Sequence, residues 1–240
     1  MLAPQLIPLN RFYRETIAFL AAHAYLLGAE LEALKDRTGK LFEVREALSK
    51  KIPQSYAGPT PYFLSRLFIS YVASFEVFLQ EMVTLVVAKN PKKVGATSFT
   101  LAEVIDAATV DQLVARATEE TLNKLMYKKP AAYLEEICQI TSIDGGSLQT
   151  KWLILVEAKA RRDLGVHNAW RCNETYLRKL KEAGIQTNAR HGDILTPPIK
   201  DYLERLPNDL AELASNIARK IYEVHWPEID IEHVDLEVDA

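Results

Sequence analysis

Cysteine is scarce in this chain, glycine is sparse, and strand-like alternation is nearly absent. Cys138 and Cys172 are the only cysteines among 240 residues. Two isolated thiols give no disulfide framework and too few ligands for a cysteine-based zinc site; they suit a reducing compartment. His23, His225 and His233 show no metal-ligand spacing, and His191 with Asp193 reads as part of an ordinary polar loop. These residues call for no metal and no cofactor. The opening Met1-Leu2-Ala3-Pro4-Gln5-Leu6 lacks the charged and apolar blocks of a secretory leader. The apolar runs stop short of a membrane span. Such absences predict a soluble, cytoplasmic protein with no membrane partner. A net charge of −3 with 48% hydrophobic residues is globular and argues against a disordered chain.

What is present is helical periodicity, and the fold class it predicts is all-α. A first helix is expected over about Asn10–Lys35, with Ile17, Leu20, Ala24, Leu27, Leu31 and Leu34 on its buried face. A short helix follows over Leu41–Leu48. Beyond the proline-rich loop at 53–61, Leu64, Leu67/Phe68, Tyr71/Val72, Phe75, Phe78/Leu79, Met82 and Val86 make the widest apolar face in the chain. That helix is the expected core element. Thr100 and Glu103 have capping-box spacing, Pro130 opens a short helix, and Ser147 starts one carrying Leu148, Trp152, Leu155, Ala158 and Val166. Asn173 caps the next. Leu206, Leu210, Leu213, Ile217 and Ile221 line the last core face, where Pro207 is expected to kink or divide the segment. Residues 1–226 read as one domain, with 227–240 an acidic tail of six Asp/Glu and no Lys or Arg. That tail reads as solvated, against the alternatives of an added strand or a strap across a basic groove.

One stretch departs from simple amphipathicity. Between Lys151 and Arg190 stand nine Lys/Arg against four Asp/Glu, while the remainder of the chain is acidic on balance. Within it, Arg161 and Arg162 fall on or beside the face that Leu148, Trp152, Leu155 and Ala158 should bury. A charge there needs a partner. Either Glu76, set among Phe75, Val77 and Phe78, pairs with Arg161 or Arg162 inside the protein, or the helix surfaces in a groove and presents Arg162 with His167. Asp163 lies four residues before His167 and shares its face, so its carboxylate can orient the imidazole. Gly165 weakens the helix between them and can let His167 swing toward the guanidinium.

The run Ala160-Arg161-Arg162-Asp163-Leu164-Gly165-Val166-His167-Asn168, followed by Asn173 and Tyr176-Leu177, resembles the signature of HEPN proteins, in particular the HEPN ribonucleases of microbial defence and toxin systems. Arg162, Asp163 and His167 fall on the Arg, polar and His positions of that motif. The upstream Tyr71–Leu79 resembles the aromatic and acidic helix that packs on the motif helix. The likeness covers roughly Pro61 to Leu180. Ala169 stands where some of those toxins carry a tyrosine modified by a partner nucleotidyltransferase, so silencing by that route is not expected.

The resemblance implies a HEPN-like up-and-down helical bundle with additional flanking helices, and a homodimer whose two motif helices share one cleft. It implies metal-independent endoribonuclease activity on RNA, held in check by an antitoxin or regulatory protein. Arg162 and His167 would be catalytic, with Asp163 and Asn168 orienting or supporting them. Lys159, Arg161 and Arg171 would hold the RNA backbone and Trp170 would stack a base. Each supporting residue also has a plainer reading: Lys159 as a solvated charge, Asn168 as a helix cap, Trp170 as core or interface. The rival function is a non-catalytic helical module for dimerisation, RNA binding or partner binding. It predicts Arg162 locked in an ion pair and His167 against a packed core.

Overall fold

Phe68, Val72, Phe75, Phe78, Leu79, Met82, Val83 and Val86 recur every three or four residues, so one continuous helix can bury all of them on a single wide face. In the computed structural model, which describes residues 3–53, 56–94, 98–126, 128, 130–198 and 200–229, they do so on the longest helix. Among the described residues the order is α1 (Ile7–Lys35), α2 (Lys40–Ser49), α3 (Pro59–Lys89), α4 (Leu101–Asp106), α5 (Val110–Met126), α6 (Pro130–Thr141), α7 (Gln149–His167), α8 (Glu174–Glu182) and α9 (Tyr202–His225). Short 3₁₀ turns precede α1 and α7 and follow α3. Among the described residues the fold is thus all-α, and the one β-type pairing is an isolated bridge between Arg171 and Ile194.

Helix α3 is the hub: α1, α6, α7 and α9 all pack on it. Phe12 from α1 meets Phe75 edge-on at 5.1 Å and stacks on Tyr71 at 5.5 Å. The Tyr71 hydroxyl reaches across to donate to the Pro207 carbonyl at 3.1 Å, tying α3 to α9 inside the core. Burial pushes that phenol well above its ordinary range, so it remains a donor. Leu206, Leu210, Leu213, Ile217 and Ile221 are all buried on α9. Pro207 does not divide this helix; it sits in the second turn and the helix runs through it.

Local signals hold at several ends. The Thr100 side chain accepts from the Glu103 amide while Glu103 accepts from Thr100, completing the capping box. The Asn173 side chain accepts from the Tyr176 amide at 2.9 Å to start α8. Helix α7 begins at Gln149, after a 3₁₀ turn over Gly146–Leu148, rather than at Ser147.

Helix α1 differs from expectation. It buries Leu9, Phe12, Thr16, Phe19 and His23, whereas Ile17, Leu31 and Leu34 stay exposed, Leu31 at 59%. Two apolar stripes compete on this helix. The one carrying Phe12 and Phe19 wins because each aromatic ring brings more surface into the core than an aliphatic side chain does. Two helical stretches, Pro4–Lys35 and Pro59–Lys89, are long and apolar enough to cross a bilayer by length and composition. The second is chiefly core, with over half of its apolar window buried, while little of the first is. Of the acidic tail, residues 230–240 lie outside the described residues.

Candidate functional site

Helix α7 carries the motif, and its C-terminal end is built by a tight left-handed reversal. Asn168 caps the helix with its amide on the Leu164 carbonyl at 2.9 Å, and the Trp170 amide returns to that carbonyl at 3.0 Å. Ala169 and Trp170 take φ of 47° and 65°, a region uncommon for residues with a Cβ. The reversal swings the Trp170 indole back beneath the last turn. A Cβ at Gly165 would stand 2.5 Å from that ring, so glycine makes room for the indole. The expectation that Gly165 loosens the helix is therefore corrected: α7 continues through it to His167. Trp170 is only 1% exposed, and its indole N–H donates to the Tyr56 hydroxyl at 2.5 Å. It is a core residue, and the base-stacking role is corrected accordingly.

The exposed flank of α7 forms one wall of a cleft of about 430 Å³ lined by Lys159, Arg162, Asp163, His167, Lys179 and Tyr133, among others. Its centre is a charge network. Glu76, 5% exposed on α3, accepts from Arg162 Nη1 at 2.7 Å through one carboxylate oxygen and from Lys159 Nζ through the other. Arg162 also donates from Nε to Asp163 Oδ1 at 3.1 Å, and Lys179 Nζ holds the other Asp163 oxygen at 2.8 Å. Three cations thus share two carboxylates, which leaves the cluster with one net positive charge. Lys159 also lies 5.8 Å from the centre of the Tyr133 ring.

Burial works against the charge on Asp163, but the Lys179 hydrogen bond and the charges of Arg162, Lys179 and Lys159 outweigh it. Its carboxyl is held below the usual aspartate range. Burial, and secondarily the charge of Glu76, push the Tyr133 phenol upward. That ring is a neutral wall.

Of the residues singled out in the sequence, Arg162, Asp163, Lys159 and His167 line this one cleft. His167 is exposed at the end of α7, and its side chain makes no hydrogen bond or ion pair to any described residue. Asp163 does not orient it, since the Asp163 oxygens are taken by Arg162 and Lys179. Asn168 serves the backbone, donating from Nδ2 to the Arg171 carbonyl at 2.6 Å. Arg171 is exposed on the bridge to Ile194, beyond the residues that line the cleft. Arg161 turns to another face of the helix, where it pairs with Glu157 at 2.7 Å. Lys179 had no signal in the sequence; α8 brings it to the cleft from outside the motif. Among the described residues, no three His, Cys, Asp or Glu side chains gather as a metal-binding set.

Chemically, the cleft offers fixed cationic donors beside one unengaged imidazole. No family model, curated protein or solved structure matches this chain.

Proposed function

We propose that the chain is a HEPN-type, metal-independent endoribonuclease acting as a toxin or defence effector, with its cleft completed by a second copy of itself. The observation that carries this reading is the meeting of Arg162 and His167 in one cleft, with Lys159 and Lys179 beside them. His167 takes the proton from a ribose 2′-hydroxyl, the ordinary work of an imidazole near neutral pH. The freed oxygen attacks the adjacent phosphorus, and the P–O5′ bond breaks as the 5′ oxygen takes a proton from solvent. The products are a 2′,3′-cyclic phosphate and a 5′-hydroxyl. Arg162 presents a planar set of donors to the phosphoryl oxygens and stabilises the charge that builds on them. For that it shifts part of its hydrogen bonding from Glu76 or Asp163 to the phosphate.

One observation favours a second reading. Arg162 is paired with Glu76 and Asp163 and its side chain is 18% exposed, which suits a non-catalytic module in which the network only ties α3 to α7. Incubating the purified protein with RNA in EDTA, beside His167→Ala and Arg162→Ala variants, separates the two. The enzyme reading expects cleavage that survives chelation and is lost in both variants. Equal cleavage by wild type and His167→Ala would remove His167 from the mechanism, and no cleavage by any form would favour the module.

A further inference from the structure

Lys179 enters the cleft from outside the motif, and the rest of α8 fixes its place there. Asn173 caps that helix, its side chain accepting from the Tyr176 amide at 2.9 Å. Tyr176 and Leu180 are buried, and Tyr176 donates its hydroxyl to Glu157 of α7 at 3.0 Å. Residue 179 lies three positions after 176 and next to 180, so it falls at the edge of the face that packs on α7. Its ammonium meets Asp163 Oδ2 at 2.8 Å and no other described carboxylate.

The Arg162 guanidinium is shared between two carboxylates of different depth. Nη1 donates to Glu76 Oε2 at 2.7 Å, and the Glu76 side chain is 6% exposed. On the other edge, Nε and Nη2 lie 3.1 Å and 2.9 Å from a single oxygen of Asp163, whose side chain is 28% exposed. That edge carries two parallel N–H donors, the pair that suits two oxygens of a phosphate. The Asp163 contact is the less costly of the two to give up, because water reaches that carboxylate more readily. A half-buried carboxylate stripped of its partner is still expensive, so the exchange depends on what else holds Asp163. Burial works against its charge, and the Lys179 hydrogen bond is the foremost influence opposing that, ahead of Arg162. Glu76 keeps Lys159 in the same way.

We propose that Lys179 is a positioning residue for Arg162: it holds Asp163 while the guanidinium turns its Nε and Nη2 donors from that carboxylate to a phosphate of the bound strand. Nη1 stays on Glu76 throughout, which keeps the guanidinium anchored to the core helix. Lys179 touches Asp163 and not the strand. Without it, Arg162 is the ion-pair partner left to Asp163 among the described residues, and the guanidinium is retained there. The inference rests on the ribonuclease reading only in taking an RNA phosphate as the ligand of Arg162.

Fluorescence anisotropy of the full chain with a short 2′-O-methyl RNA tests it, because that strand keeps its phosphates and cannot be cut through a 2′-hydroxyl. Wild type should bind it, and Arg162→Ala should bind about tenfold more weakly or worse. Lys179→Met should weaken binding about tenfold, but by no more than about threefold in an Asp163→Asn background. An amide needs no cation, so the guanidinium is then released without Lys179. Lys179→Gln repeats both measurements if the methionine variant does not fold. Equal losses in the two backgrounds would put Lys179 on the strand itself and overturn the proposal. So would an unchanged affinity in Lys179→Met, or the absence of binding that depends on Arg162. Cleavage of unmodified RNA is read in parallel: a protein that shows the coupling but cuts nothing keeps Lys179 in this role and loses the ribonuclease reading.

Discussion

Glu76 on α3 and Arg162 on α7 meet at 2.7 Å, and the carboxylate is almost wholly buried. That pair fixes the rotation of the motif helix against the core helix, and so decides which α7 residues face the cleft. It also sets the catalytic question, because the same guanidinium must serve a structural carboxylate and, on the proposed reading, a phosphate.

Removing the carboxylate charge should therefore cost stability. Glu76→Gln keeps the shape but leaves Lys159 and Arg162 without their shared counter-charge. The expected loss is about 2 kcal/mol, below the full penalty for breaking a buried pair because both cations keep some contact with water. Urea unfolding measures it; a variant as stable as wild type would mean that the pair contributes nothing net.

Gly165 should resist replacement despite its place in a helix. Alanine is the better helix former by about 1 kcal/mol, but its Cβ would stand 2.5 Å from the Trp170 ring. Overpacking of that kind costs roughly 1–3 kcal/mol, and here it meets a buried indole held by a hydrogen bond. Gly165→Ala is expected to lower the melting temperature and perturb tryptophan fluorescence. A rise in melting temperature would show that the ring moves aside freely.

Asp163 gives a pH signature. Its folded carboxyl titrates below the ordinary aspartate value of 3.8. Its contribution to stability is therefore complete above that value, and is lost as pH falls through the lower folded value. Urea midpoints of wild type and Asp163→Asn should differ at pH 5 to 7 and converge as the pH drops below about 3.8. A gap that persists unchanged at pH 2 to 3 would mean that the aspartate acts through shape and not charge.

The two stripes of α1 should respond differently to mutation. Leu31 is largely exposed, so Leu31→Glu is expected to change stability by no more than about 0.5 kcal/mol. Phe19 is buried against Tyr71 and His23, and Phe19→Ala should cost about 3 kcal/mol. Thermal and urea unfolding of the two variants make the comparison. The reverse order would restore the face expected from the sequence.

How far the sequence could be read depended on whether a feature was local. The α3 face was legible because eight large apolar residues leave a helix no second choice. The caps at Thr100 and Asn173 were legible because each is complete within four residues. The α1 face was not, since two stripes satisfy the same period and only the partner aromatics on α3 decide between them. Trp170 was ambiguous for a related reason. Its burial depends on a left-handed reversal through Ala169, a non-glycine residue for which the sequence shows no turn signal. Of the candidate site, the Arg162–Glu76 pairing was one of the two alternatives on the sequence, whereas Lys179 reaches Asp163 only through the placement of α8.

The most direct test of the proposed activity uses a short RNA and the same strand with a single 2′-deoxy sugar at the cleaved position, incubated in EDTA with wild type and His167→Ala. The account predicts that wild type cuts only the all-ribose strand, leaving a 2′,3′-cyclic phosphate seen by mass spectrometry. It also predicts that His167→Ala is slower by about 10²-fold or more. Cleavage of the 2′-deoxy strand at the same position, or wild-type rates from His167→Ala, would contradict it.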